Sequence, residues 1–244
     1  MDILKLDVYD LRISYKNFIL KNISFSLRNG DIFGLMGRSG SGKSTLIKTI
    51  VGLKKPDKGS INFFINNIKK PIKKYLGYSP QENALFPFLT LEENIKIFGR
   101  LYGVNKKNID FFSNQILKRL ELYEHKKKKI YQLSGGMQKR ADIAVALIND
   151  PKILILDEPF NGLDISLQRF IWDFLVELSK LGKIIIISSH MIKDLQKYCT
   201  QLGLIENGIF YDTKTIVASL NQYRFNNLED FLEIVFTNNY GDNI

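Results

Sequence analysis

Three glycines and a lysine fall within the nine residues Gly37-Arg38-Ser39-Gly40-Ser41-Gly42-Lys43-Ser44-Thr45, which fit the pattern G-x-x-x-x-G-K-[ST]. The pattern constrains the fold because it works only between a buried strand and a helix. Asp31-Ile32-Phe33-Gly34-Leu35-Met36 reads as that strand, and Leu46-Ile47-Lys48-Thr49-Ile50-Val51 continues with helical apolar spacing. Glycines let backbone N–H groups close around phosphate oxygens, and the N-terminus of the new helix adds roughly half a positive charge. The Lys43 ammonium then reaches the terminal phosphates, and the Ser44 hydroxyl is placed for Mg²⁺. A nucleotide is the expected ligand.

The flanking pattern predicts an α/β chain with a mostly parallel sheet. Strands are expected over 3–12, 23–28, 31–36, 60–65 and 75–79, the first of them forming an antiparallel β subdomain. From about Leu91 the period becomes helical, with helices over 91–102, 109–123 and 136–148. Ile153-Leu154-Ile155-Leu156 and Ile184-Ile185-Ile186-Ile187 are the continuous apolar runs of buried parallel strands, and a helix over 166–181 separates them. A hairpin turning at Asn207-Gly208 and an amphipathic helix over 228–236 close the chain. The division expected is a nucleotide-binding core (1–85 and 151–225), a helical insert (86–150) and a C-terminal helix and tail (226–244).

A length of 244 residues suits one large domain with an insert. No apolar run approaches the roughly 20 residues of a membrane span, and the N-terminus has no secretion-signal pattern, so a cytoplasmic chain is expected. The lone cysteine, Cys199, permits no internal disulfide. A net charge of +10 points to an anionic partner without choosing among nucleotide, nucleic acid and membrane surface. The lysine clusters, Lys126 to Lys129 among them, lack the interleaved aromatics of a nucleic-acid platform, and no nucleic acid is expected.

A second phosphate-site motif stands at the end of a buried strand in Leu156-Asp157-Glu158-Pro159. Its acids are expected beside the phosphate loop, Asp157 toward Mg²⁺ and Glu158 toward the water that attacks the γ-phosphate. A helix cap with a first-turn acid is the plainer account of the same residues. Between the two motifs lies Leu133-Ser134-Gly135-Gly136-Met137-Gln138-Lys139-Arg140. Ser134 is suited to cap a helix that begins at Gly135, leaving glycine N–H groups as an anion site. This run resembles the signature of the ABC ATPases. Met137 stands where that family usually has glutamine, as it does in ABC-2-type exporters.

The resemblance implies further roles. Gln81, after Pro80, resembles the glutamine that joins Mg²⁺ and the attacking water to the helical insert. Asn161-Gly162-Leu163-Asp164 resembles the D-loop, and His190 the switch histidine at the γ-phosphate. Tyr15 falls where the family stacks a ring on adenine, with Tyr9 and Phe18 as nearby candidates for that role or for the core. Each motif occurs once, so the resemblance implies a head-to-tail dimer in which ATP lies between Lys43 of one copy and Ser134 of the other.

It also implies a separate transmembrane permease subunit and a place at the inner face of the membrane. The segments 86–94 and 98–103 and the tail Leu228-Glu229-Asp230-Phe231-Leu232 resemble ABC-2-type exporter subunits. A non-transport ABC ATPase acting on nucleic acid or ribosome is the rival, without the tandem cassettes or inserted modules such proteins carry. Leu85-Phe86-Pro87-Phe88-Leu89 is expected either to receive the permease or to fill the insert's core.

Overall fold

A computed structural model describes residues 2–15, 18–222, 228–230 and 232. Three short strands, β3 (Ile32–Met36), β7 (Ile153–Asp157) and β8 (Ile184–Ser188), are buried at every residue. Their apolar runs can be satisfied only by cover on both faces. With β6 (Leu76–Ser79) and β9 (Gln201–Glu206) they form a parallel block in the order β9-β3-β8-β7-β6. The register pairs Ile32 with Ile185, and Ile153 with both Ile184 and Leu76.

The other five strands extend the same sheet. β1 (Leu4–Tyr15), β2 (Phe18–Arg28), β4 (Lys58–Ile65) and β5 (Ile68–Lys70) are antiparallel neighbours, and β10 (Ile209–Asp212) joins β2 to β9 through one pairing, Ile209 with Lys21. The expected antiparallel β subdomain is thus continuous with the parallel core in one ten-stranded order. The strand β5 has no counterpart in the sequence reading. It is made by a tight turn at Asn66-Asn67, whose φ values of 51° and 63° suit the two-residue hairpin that asparagine tolerates. The Asn207-Gly208 hairpin forms as expected, with φ 49° and 79°.

The period-2 alternation of the buried strands divides the core. Phe33, Leu35, Ile153, Ile155, Ile184 and Ile186 pack with Leu46 and Ile47 of α1 (Lys43–Ile50) and with the antiparallel strands. Ile32, Met36, Leu154, Leu156, Ile185 and Ile187 pack on the other face against the helical insert and α5 (Ile165–Lys180). Each such side chain contributes about 1.5–3 kcal/mol by burial.

The insert consists of α2 (Leu91–Leu101), α3 (Lys106–Arg119) and α4 (Gly135–Ala146). Thr90 starts α2 through a reciprocal capping box with Glu93. Asn105 caps α3 and so places its start ahead of the expected Ile109. Two helices, α6 (Ile192–Tyr198) and α7 (Thr213–Gln222), were not anticipated. The helix expected over 228–236 falls mostly outside the described residues, within which Leu228 and Leu232 are buried.

Candidate functional site

The C-terminal ends of β3, β8, β7 and β6 deliver the phosphate loop, His190, Asp157-Glu158 and Gln81 to one edge of the sheet. The loop's glycines are there for backbone reasons. Gly37 has φ 146°, and a Cβ on it would lie 2.4 Å from the Ile205 carbonyl oxygen. A Cβ on Gly42, at φ 112°, would lie 2.7 Å from the Phe18 ring. Gly42 heads α1 without a side-chain cap, so the first N–H groups of the helix point into the loop. Lys43 folds back over it, its ammonium donating to the carbonyl oxygens of Gly37 at 2.8 Å and Arg38 at 3.2 Å.

The acid pair lies beside this loop, although β8 stands between β3 and β7 in the sheet. Lys43 spans the gap, with Nζ 3.6 Å from Glu158 Oε1. Ser188 of the intervening strand fixes both acids: its hydroxyl donates to Asp157 Oδ1 at 2.5 Å and accepts from the Glu158 N–H at 2.9 Å. Ser188 has no part in the sequence reading, because only the strand order brings it against both acids. Glu158 is held in the left-handed region at φ 48°, a conformation that costs energy for a residue with a Cβ. Its second oxygen, Oε2, meets His190 Nδ1 at 3.1 Å.

A cleft of about 420 Å³ gathers Tyr15, Phe18, Ser39, Gly40, Gly42, Lys43, Ser44, Thr45, Gln81, Glu158, Asn161 and His190. Tyr15 stands at its mouth, about half exposed, with Lys54 Nζ 5.5 Å from its ring centre. Phe18 packs on the loop itself, so of the three candidate aromatics two border the cleft. The third, Tyr9, lines a different and larger hollow on β1, β2 and β4 together with Lys5, Phe25 and Asn62. Size is not the criterion here, because that hollow has no phosphate loop and no acid pair. Asp157, 1% exposed, lies behind the cleft, and the Ser41 hydroxyl and Gly37 are also buried.

The remaining sequence-predicted residues face elsewhere. Ser134, Gly136, Gly162 and Asp164 line a separate cleft with Met137, Arg140 and Phe170. Ser134 caps α4, its hydroxyl accepting from the Met137 N–H at 3.3 Å. Around Gly135 a Cβ would meet nothing within 4 Å, so this end of the helix is open to an approaching group. A Cβ on Gly136, by contrast, would strike Leu167 of α5 at 2.5 Å. Asp164 caps α5, its carboxylate accepting from the Ser166 hydroxyl and the Leu167 N–H, which hold it below the usual carboxylate range.

The chemistry of the first cleft is that of a nucleoside triphosphate site. Uncapped helical N–H groups, an ammonium and the hydroxyls of Ser39, Ser44 and Thr45 surround the place for phosphate, and a buried carboxylate pair adjoins it. Comparison with known proteins makes the class specific. The family model for ABC transporters matches residues 20–161. The linearmycin resistance ATP-binding protein of Bacillus subtilis (strain 168) is 37% identical over 209 residues, 84% of this chain and 67% of that one. Nod factor export ATP-binding protein I of Bradyrhizobium diazoefficiens is 33% identical over 212 residues, 85% of this chain and 69% of that one. A solved ATP-binding subunit of an ABC transporter superposes with a TM-score of 0.81 at 27% identity, covering 94% of this chain and 99% of the other. A dimeric bacterial ABC transporter cassette superposes with a TM-score of 0.74 at 28% identity, covering 85% and 98%. The chain belongs to the ABC transporter family as an ATP-binding subunit, and it is an ATPase.

Proposed function

We propose that this chain powers an ABC-2-type exporter, binding and hydrolysing ATP at two composite sites formed when two copies pair head to tail. One observation carries the reading: the residues assigned to one ATP lie in two clefts that do not join within a chain, Lys43 and Glu158 in one, Ser134 and Asp164 in the other. A second copy brings the α4 N-terminus to the γ-phosphate held by the first. The dimeric cassette and the export protein among the similar proteins support this.

In this reading Gly37 to Thr45 cradle the phosphates and Tyr15 stacks on the adenine. Ser44, Gln81 and Asp157 would hold Mg²⁺, which when bound offsets charge on the phosphate oxygens. Gln81 orients the attacking water and Glu158 accepts its proton as the water oxygen bonds to the γ-phosphorus and the β–γ bridging bond breaks. His190, hydrogen-bonded to Glu158, faces the departing phosphate. Ser134, Gly135 and Gly136 of the partner copy bind the γ-phosphate, and Asp164 sits at the seam. Hydrolysis removes the shared group and lets the pair open. No helix among the described residues is long and apolar enough to cross a membrane. In this reading a separate membrane subunit provides the path for the substrate and would hold this chain at the inner face of the membrane.

Sedimentation of Glu158→Gln with and without ATP tests the composite site. ATP should convert the variant from monomer to a stable dimer, and a monomer at saturating ATP would refute the arrangement.

A further inference from the structure

Helix α4 is fastened along β6 and the loop that leaves it. Near its C-terminus the Ala146 carbonyl oxygen packs on Gly77 so closely that a Cβ there would lie 2.0 Å away. One turn earlier the Asp142 carboxylate accepts from the Ser79 hydroxyl at 2.5 Å. Lys139 donates to the Pro80 carbonyl oxygen at 3.0 Å, and Gln138 accepts from the Asn83 amide at 3.2 Å. Lys139, Asp142 and Ala146 share one helical face. The Asp142 and Lys139 contacts thus hold the start of the loop 79–84 and the Gln138 contact holds its end, with Gln81 between them, lining the ATP cleft.

We propose that Asp142 is the positioning residue for Gln81, fixing the start of the loop that carries it and joining that loop to the helix headed by Ser134. The inference rests on the role given to Gln81 above. Asp142 is only 3% exposed, and burying a carboxylate costs energy unless its oxygens are met. A neutral apolar residue would pack there without that cost, but it would leave the Ser79 hydroxyl without its acceptor. Burial pushes the Asp142 carboxyl up, and the nearby Lys139 ammonium partly offsets this. Because α4 presents Ser134 to one cleft and holds the Gln81 loop in the other, a shift of the loop moves the helix. The two halves of the composite site are thereby mechanically coupled.

The test measures steady-state ATPase of the full chain for Asp142→Asn, Ser79→Ala and Gln81→Ala, and for each of the first two combined with Gln81→Ala. Asp142→Asn and Ser79→Ala should each lower kcat about tenfold or more with KM for ATP nearly unchanged, since a misplacement of about 1 Å costs on the order of 10²-fold. Neither should lower kcat further once Gln81 is Ala. Parental kcat in Asp142→Asn and Ser79→Ala while Gln81→Ala is impaired would overturn the role of Asp142 alone. Parental kcat in Gln81→Ala would instead overturn the role of Gln81 on which it rests. Additive losses in the combined variants, or a misfolded Asp142→Asn beside a Ser79→Ala with parental kcat, would make Asp142 merely structural.

Discussion

Lys43 and Glu158 form a pair bridging the two motifs, Nζ to Oε1 at 3.6 Å, with both side chains more than nine-tenths buried. The cation therefore ties the phosphate loop to β7 across the whole width of β8. Glu158→Gln keeps the shape of this contact and the left-handed backbone at 158 but removes the group that accepts a proton. ATP affinity should stay near parental while turnover falls by on the order of 10²- to 10⁴-fold. Parallel equilibrium binding and phosphate-release assays check this, and parental turnover would assign the base to another residue.

Lys43 and Ser134 separate binding from pairing. Lys43→Ala removes a charge-assisted contact with the phosphates and should weaken ATP binding by about ten- to hundredfold, the equivalent of about 1.5–3 kcal/mol. Ser134→Arg places a bulky side chain in the other cleft, costs the α4 cap about 1 kcal/mol, and should leave monomer affinity close to parental while abolishing ATP-driven dimers. Titration of monomer with a fluorescent nucleotide, followed by sedimentation, distinguishes them. Equal losses of monomer affinity would contradict a shared site.

The parts of the site that the sequence made legible are those fixed by local chemistry. Gly37 and Gly42 occupy backbone conformations that side chains rarely adopt, and the strands ending at Met36, Asp157 and Ser188 are apolar at nearly every position because both faces are covered. What stayed hidden depends on strand order and long-range packing. Nothing local places β8 between β3 and β7, so neither the reach of Lys43 nor the clamp by Ser188 was readable. Asp142 carries no local signal, since its partner Ser79 lies 63 residues away. The stretch 85–89 was ambiguous because an apolar run does not reveal which side chains turn outward.

The α2 capping box has a defined pH response. The Thr90 N–H and hydroxyl donate to Glu93 Oε2 at 2.7 and 2.8 Å and hold its carboxyl below the ordinary 4.5. A carboxyl lowered in the folded state stabilises above its unfolded pKa, and that contribution is lost as pH falls through the folded value. Glu93→Gln should therefore melt below the parent at about pH 6, and the gap should shrink toward about pH 3. Thermal melts across that interval check it, and a gap that widened on acidification would show that Glu93 is not held this way.

The aromatic stretch after Gln81 is divided by the fold. Leu85 is 6% exposed and belongs to the core of the insert, whereas Phe86 and Phe88 are 45% and 76% exposed. Phe88 lies with its ring centre 6.0 Å from that of Tyr131, itself more than half exposed, and Phe86 lies 5.8 Å from Phe98. A core residue of this size would cost about 3–5 kcal/mol on truncation, but a side chain already in water has little burial to lose. Phe88→Ala should accordingly melt close to the parent and keep its basal ATPase, with Phe86→Ala losing somewhat more through its contact with Phe98. Exposed aromatics five and seven residues after Gln81 in the chain suit a membrane subunit that must sense the nucleotide, and buried aromatic anchors dominate the energy of such contacts. Phe88→Ala should therefore fail to co-purify with the membrane subunit and lose transport. Normal assembly of a normally folded Phe88→Ala would remove Phe88 from the docking surface, and a fall in melting temperature of both variants as large as for a core residue would remove the surface altogether.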